Sequence, residues 1–596
     1  MRQALAAVTA VLAIAVLVAA PPWVSEVGLK AASGIAAALA VVVACTGLGG
    51  ALLRQADAVE ALALGLGVLG LVLLPLGALG WLSPLSSGAL VCVAAAGWLR
   101  RPEVRMPPVS LAVVLLVAPF LLVGLLATLT PPWDTDEVYQ HLALPSKFLL
   151  EGGLVGGPLH ADASRPMGLH LAYTVALALG GETAPKLLAL ILFAGLLAKL
   201  ATMEGRVAGL AAIALLLGSY TVVRELGLAY NNLPAALYGL LALDSARRER
   251  PWRMALFAGL GLCAKYTLAP VVVGVVLLYW SRIGWRRVGP VVLAAALALA
   301  MVAPWWLRNA LEGLHPLFPY AGWPDGEGFR FVFMERYGTG REPMDFLLLP
   351  WNATVHGDPD SYMFLGRITP AGLVLIPATL WAWFRGERWI GVAVLGALGW
   401  AVGPHWLRYL LIPSAVLALA AGAGFARLPG WGRAIVVAAW IGGLPSNLGP
   451  WLEDQTPAVA LGDRSAEDFL EERLPGWTCA AWVNEYTPED AVVALLYAWP
   501  GHYVERRWVL SSVEDHVPTR HWLHVHGENA LADLRAEGVT YVLAGRPRFI
   551  HKLFPFLSEP DFVAQFRQPE NALQELLLAE GTLMFEDGRY GVWRLD

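Results

Sequence analysis

Apolar runs of membrane-spanning or near-spanning length recur from the N-terminus to about Leu448, where the pattern stops and Glu, Asp, Arg and His become frequent. The pattern predicts an α-helical polytopic membrane body followed by a small α/β domain outside the bilayer. About 15 spans are expected, near 4 to 22, 31 to 52, 59 to 82, 86 to 99, 107 to 130, 184 to 201, 207 to 223, 229 to 246, 252 to 264, 267 to 281, 288 to 307, 371 to 384, 388 to 403, 405 to 424 and 433 to 448. The apolar piece from Pro166 to Leu179 is short, flanked by Pro and Gly, and contains His170, so a re-entrant or interfacial helix is expected there. Beyond Trp451 the periodicity predicts a helix near Ser465 to Leu474, strands at Ala491 to Ala498 and near Tyr503 to Ser511, a helix at Asn529 to Glu537 and a strand at Val539 to Ala544.

Composition supports the division. Of 596 residues, 57% are hydrophobic and 15% charged, which excludes a single soluble domain. The formal charge of −5 comes with no basic stripe, so nucleic acid is excluded as a partner. Cys45, Cys92 and Cys263 lie in apolar segments and Cys479 stands alone in the tail, which reads as packing rather than a disulfide or zinc framework. His516, His521, His524 and His526 lack metal-ligand spacing and read as a solvated loop. Three units are expected: 1 to 106, extra N-terminal helices; 107 to 450, a core with outer loops 131 to 183 and 308 to 370; and 451 to 596, an extracytoplasmic domain.

Arginine placement sets the orientation, because Lys and Arg concentrate in short cytoplasmic loops. Arg2, Arg54, the cluster at Arg100, Arg101 and Arg105, Lys199 with Arg206, Arg247 to Arg253, Arg282 to Arg287, Arg385 with Arg388 and Arg427 with Arg433 all fall inside in this threading, with Lys30 and Lys186 as exceptions. The first segment, with Arg2 before an apolar stretch ending in Val-Ala-Ala, also fits a signal peptide, and its cleavage leaves the rest unchanged. The acidic stretch after Leu129, the loop from Arg308 to Pro370 and the tail then face outward. Nucleotide-driven chemistry is disfavoured there, and no P-loop or dinucleotide turn is present.

The stretch Trp133-Asp134-Thr135-Asp136-Glu137-Val138-Tyr139-Gln140-His141 follows the apolar run from Leu111 to Leu129 directly. Carboxylates at a membrane edge are expensive to keep and suited to proton transfer. Acids can also cap a helix expected at Val138 to Leu150, but three in four positions exceed what a cap needs. Cations recur on the same side: Arg224 with Glu225 before Tyr230-Asn231-Asn232, Lys265-Tyr266-Thr267 between two apolar halves, and His405-Trp406-Leu407-Arg408-Tyr409 opening a late span. Each is placed to meet a lipid phosphate, although snorkelling alone would explain Lys265 or Arg408 singly.

These residues resemble the GT-C glycosyltransferases, in the group of the protein O-mannosyltransferases and the lipid A aminoarabinose transferases. Asp136-Glu137-Val138-Tyr139 resembles the acidic motif of the first large outer loop, and Ser164-Arg165-Pro166-Met167 its proline-containing end. Ala303-Pro304-Trp305-Trp306-Leu307-Arg308-Asn309 with His315-Pro316-Leu317-Phe318-Pro319 is similar to a Pro-Trp, Arg-Asn, Pro, Pro pattern, and Arg408-Tyr409-Leu410-Leu411-Ile412-Pro413 to an Arg-Tyr to Pro element. The pieces span Trp133 to Pro413 in order and leave the helices before Arg100 outside the resemblance. Asn232 and His170 stand where relatives often carry acids.

The resemblance implies a membrane glycosyltransferase that moves a sugar from a polyprenyl-phosphate donor to an acceptor hydroxyl of a glycan, protein or lipid, on the outer face of the cell membrane. Asp136 would be the general base, with Asp134 fitting the motif after a one-residue shift and Glu137 as orienting partner. Lys265 and Arg408 would meet the lipid phosphate. Tyr139, His170, Arg224, Tyr230, Asn232, Arg308 and Tyr409 complete the expected substrate-binding set. Single displacement inverts the anomeric carbon. A metal-free route is preferred over one in which Asp136 and His170 hold a divalent metal. The competing readings are a transporter or flippase for lipid-linked sugars, and a non-catalytic membrane subunit. The outer-loop residues Trp323, Asp325, Glu335, Arg336, Tyr337 and His356 form the expected acceptor side, without individual roles.

Overall fold

The backbone polar groups of an apolar chain in lipid can be satisfied only within helices or closed barrels, and here they are satisfied in helices. The computed structural model describes residues 25–322, 338–359, 361, 363–454, 457–510, 517–545 and 558–595. Eight described helices are long and apolar enough to cross a membrane: Lys30–Leu53, Ala58–Ala78, Leu111–Thr128, Thr183–Met203, Tyr266–Ile283, Val288–Leu311, Leu407–Arg427 and Gly430–Leu452. Four shorter apolar helices accompany them, Gly168–Gly180, Arg206–Leu217, Pro370–Phe384 and Ile390–Val402. The segment expected from 166 to 179 is thus a 13-residue helix, short for a span. The first expected span, 4 to 22, lies outside the described residues, as do Trp323, Asp325, Glu335, Arg336 and Tyr337.

Small residues let the helices approach closely. A Cβ on Gly49 would fall 1.9 Å from the Ala61 carbonyl oxygen, and one on Gly65 as close to that of Cys45, so the first two described helices meet backbone to backbone. Between them the chain forms strand β1, Gln55–Asp57, which pairs in parallel with β2, Glu103–Arg105. Asp57 then caps the second helix by accepting from the Glu60 amide at 2.9 Å. Helix Asn232–Arg247 is buried from Asn232 to Ala246, which is where a helix apolar on nearly every side belongs.

The polar tail folds as expected in kind. Its sheet runs β4 (Arg507–Val509), β3 (Val492–Leu496), β5 (Tyr541–Gly545), β7 (Tyr590–Leu595), β6 (Gly581–Asp587). β4, β3 and β5 are parallel, while β7 and β6 are antiparallel additions that the sequence reading did not include. Helices Trp477–Tyr486, Val517–His526 and Gln568–Glu580 were likewise not anticipated.

One expectation in the tail needs correction. His521, His524 and His526 lie on a helix and His521 is buried, so they are not a solvated loop; turn-like spacing of His and polar residues hid one helical face. His516 lies outside the described residues. All four cysteines are free.

Candidate functional site

The acidic stretch leaves helix Leu111–Thr128 and enters a wide turn at Glu137–His141, where the Leu142 amide donates to the Glu137 carbonyl at 2.8 Å across five residues. Helix Ala143–Leu150 follows, so the single expected helix from Val138 to Leu150 is split. The acids do not cap it: Asp136 makes no side-chain bond to a helix amide. They reach side chains far along the chain.

Asp134 is buried, and both its oxygens are taken. Arg224 Nη2 donates to Oδ2 at 2.6 Å and the Tyr230 hydroxyl donates to Oδ1. Asp136 pairs through Oδ2, with Arg408 Nη1 at 2.6 Å, while its buried Oδ1 has no hydrogen-bond partner among the described residues. These residues line a cavity together with Thr135, Tyr220, Thr221, Glu225, Leu365 and Gly366. Gly366 has φ +149° and a Cβ there would strike Thr221 Oγ1 at 2.5 Å, so the wall of the cavity needs glycine.

A second group backs the cavity. Asn232, at the first turn of its helix, donates to Glu225 and accepts from Lys265, whose Nζ also lies 3.3 Å from Asn231 Oδ1. Burial raises the Glu225 carboxyl and lowers the Lys265 ammonium from their ordinary values. Lys265 Nζ and Arg408 Cζ lie 5.9 and 5.5 Å from the centre of the Tyr409 ring, so both cations gather on one aromatic platform.

Asn232, Lys265 and Tyr409 stand behind the cavity lining, and Glu137, Tyr139, His170 and Arg308 also lie outside it. Glu137 is fully buried and accepts from the Ala229 amide at 2.8 Å, with burial raising its carboxyl. Tyr139 donates to Asp162, which is paired with Arg165. His170 Nε2 is 2.9 Å from His141 Nδ1, and His141 packs on the Tyr230 ring at 4.8 Å, behind the cavity. Arg308 spends its donors on Glu312 at 2.9 Å, on the Ala163 carbonyl at 3.0 Å and on the Val155 carbonyl. Asn309 joins it by donating to the Ser164 carbonyl at 3.1 Å. The Arg-Asn pair thus staples the segment from Val155 to Ser164 to helix Val288–Leu311.

Among the described residues no three His, Cys, Asp or Glu side chains come together as a metal site. Glu225 was quoted from the sequence without a role, and its place beside Arg224 was the signal. His141 and Arg165 stand in the quoted motifs without a role, and Asp162 is identified only by its pairing with Tyr139 and Arg165.

No family model matches the chain, and no curated protein matches it. Among solved structures it is similar to ArnT from Cupriavidus metallidurans bound to undecaprenyl phosphate, with 14% identity and a TM-score of 0.48 over 81% of this chain and 97% of that one; the same values hold for that protein in the apo state. It is also similar to the Archaeoglobus fulgidus oligosaccharyltransferase tethered with an acceptor peptide containing the NVT sequon, with 12% identity and a TM-score of 0.38 over 80% of this chain and 74% of that one.

Proposed function

We propose that the chain is a membrane glycosyltransferase that takes a sugar from a polyprenyl-phosphate donor on the outer face of the cell membrane and passes it to an acceptor hydroxyl. One observation carries the reading: Asp136 lines a cavity with one carboxylate oxygen unpartnered and the other held by Arg408, which shares the Tyr409 ring with Lys265. A buried acceptor without a partner is costly, and an incoming hydroxyl removes that cost.

In the proposed step the acceptor hydroxyl gives its proton to Asp136 Oδ1. Its oxygen forms the new bond to the anomeric carbon while the bond from that carbon to the phosphate oxygen breaks. The phosphate leaves with the electron pair, and the anomeric centre inverts. The Arg408 pairing couples the two ends of this transfer. As Asp136 becomes neutral its hold on the guanidinium falls, and that charge is released to the phosphate just as negative charge develops there. Lys265, kept in place by Asn232 beside Glu225, supplies the second cation. Asp134, saturated by Arg224 and Tyr230, suits positioning better than proton transfer.

The test is release of polyprenyl phosphate from a labelled polyprenyl-phosphate sugar by the full chain in lipid vesicles, with cell-envelope acceptors added. Asp136→Asn, inserted and folded as the parent, is expected to lose about 10³-fold in rate. Full rate in that variant sinks the reading.

A further inference from the structure

The acidic loop is fastened from two sides, and only one of them is the membrane body. On that side Glu137 accepts from Ala229. On the other, the Tyr503 hydroxyl donates to the Pro132 carbonyl at 2.7 Å, two residues before Asp134. Trp133 and Val138, which bracket the acids, pack into an apolar cluster with Phe469, Leu470 and Leu474 of the tail. Trp133 meets the Phe469 ring edge to face at 6.3 Å.

The far end of the same outer loop is held as well. Lys147 donates to the Trp508 carbonyl and stands 4.3 Å over its ring, and the Leu510 amide donates to the Leu159 carbonyl at 3.0 Å. The segment making these contacts is itself rigidly mounted. Asn484, on helix Trp477–Tyr486, donates to the Tyr503 carbonyl at 2.7 Å and accepts from the Glu505 amide at 2.8 Å. Arg506 bonds the carbonyls of Asn484, Thr487 and Pro488 at the end of that helix.

We infer that Tyr503 is a positioning residue: through Pro132 the tail holds Asp136 at its working distance. The inference rests on the reading of Asp136 as proton acceptor. A hydrogen bond from a packed side chain to the backbone two residues before the acids adds a tail-side restraint between the Lys186 bond to the Thr130 carbonyl and the Arg224 bond to Asp134. Misplacement of a catalytic group by about 1 Å is enough to lower turnover steeply while leaving donor affinity alone.

The experiment compares the full chain with Tyr503→Phe, which removes one hydroxyl and keeps the ring in its apolar cluster. Tyr486→Phe, at an exposed ring of the same domain, is the control. Amide hydrogen exchange at 137–142 is expected to speed up about tenfold in Tyr503→Phe, with 493–496 in the sheet unchanged. Per folded molecule, kcat is expected to fall about tenfold at constant KM for the polyprenyl-phosphate sugar. Unchanged exchange at 137–142, equal acceleration in the sheet, or a change confined to KM overturns the inference. The exchange readout needs no turnover, so an inactive parent protein overturns the proposed function separately.

Discussion

Two charged clusters lie at opposite ends of helix Asn232–Arg247, and they use the same residue types to different ends. At its last turn, Lys199 Nζ sits 2.8 Å from Asp57, 3.2 Å from Asp244 and 3.5 Å from Glu60. Arg253 completes Glu60 at 2.8 Å and Arg248 completes Asp244 at 2.9 Å. Twelve residues earlier, about 18 Å along the axis, Asn232 links Glu225 to Lys265 beside the Asp136 cavity. There Asp136 Oδ1, Glu225 Oε2 and Glu137 Oε2 are buried with no partner, whereas no carboxylate oxygen of the Lys199 cluster is left so. The two clusters share residue types and differ in how fully their carboxylates are satisfied.

The sharpest way to break that comparison is to remove one charge from each cluster. Asp136→Asn is expected to abolish transfer and leave the thermal midpoint in detergent within a few degrees of the parent. Lys199→Met strands three carboxylates, and is expected to cost about 3 to 5 kcal/mol. That loss would appear as a large drop in thermal midpoint, with transfer per folded molecule retained. If instead Lys199→Met slows transfer at constant stability, the cluster belongs to the chemistry.

A smaller effect tests Lys265. Burial lowers its ammonium, so its charge is lost as pH rises, below the range in which an exposed lysine titrates. Transfer is therefore expected to fall about 10²-fold along an alkaline limb in that range. Lys265→Arg should move the limb upward; an unmoved limb assigns it elsewhere. The smallest effect is expected at Glu137. Burial raises its carboxyl, and Gln keeps an oxygen for the Ala229 amide. Glu137→Gln should stay within about 1 kcal/mol in stability and within severalfold in rate. A loss matching that of Asp136→Asn would move the base from Asp136 to Glu137.

Much of this was readable in the chain. Long apolar runs mark helices whatever packs against them, and Arg224, Tyr230, Asn232, Lys265 and Arg408 were visible because charge is rare in such a sequence. Arg308 misled for the same reason: rarity identifies a buried guanidinium without telling whether it faces a ligand or backbone carbonyls. The pairing of His170 with His141, 29 residues away, and of Tyr503 with Pro132, 371 residues away, is set by tertiary contact alone. Local periodicity carries no trace of such separations. Strand β6 is exposed or half-buried along its whole length, so it lacks the continuous apolar run that marks β3 and β5.

The wide turn at Glu137–His141 has a consequence for the side chains within it. Closing over five residues instead of four, it stores one residue more than a regular helix of the same rise. Deleting one residue between Asp136 and Leu142 would take up the stored residue and restore regular winding, leaving the helix after Leu142 in its present orientation while the side chains inside the turn change face. Tyr139 would then no longer face Asp162, nor His141 face His170. The number of residues across this short interval therefore sets which side chains meet Asp162 and His170.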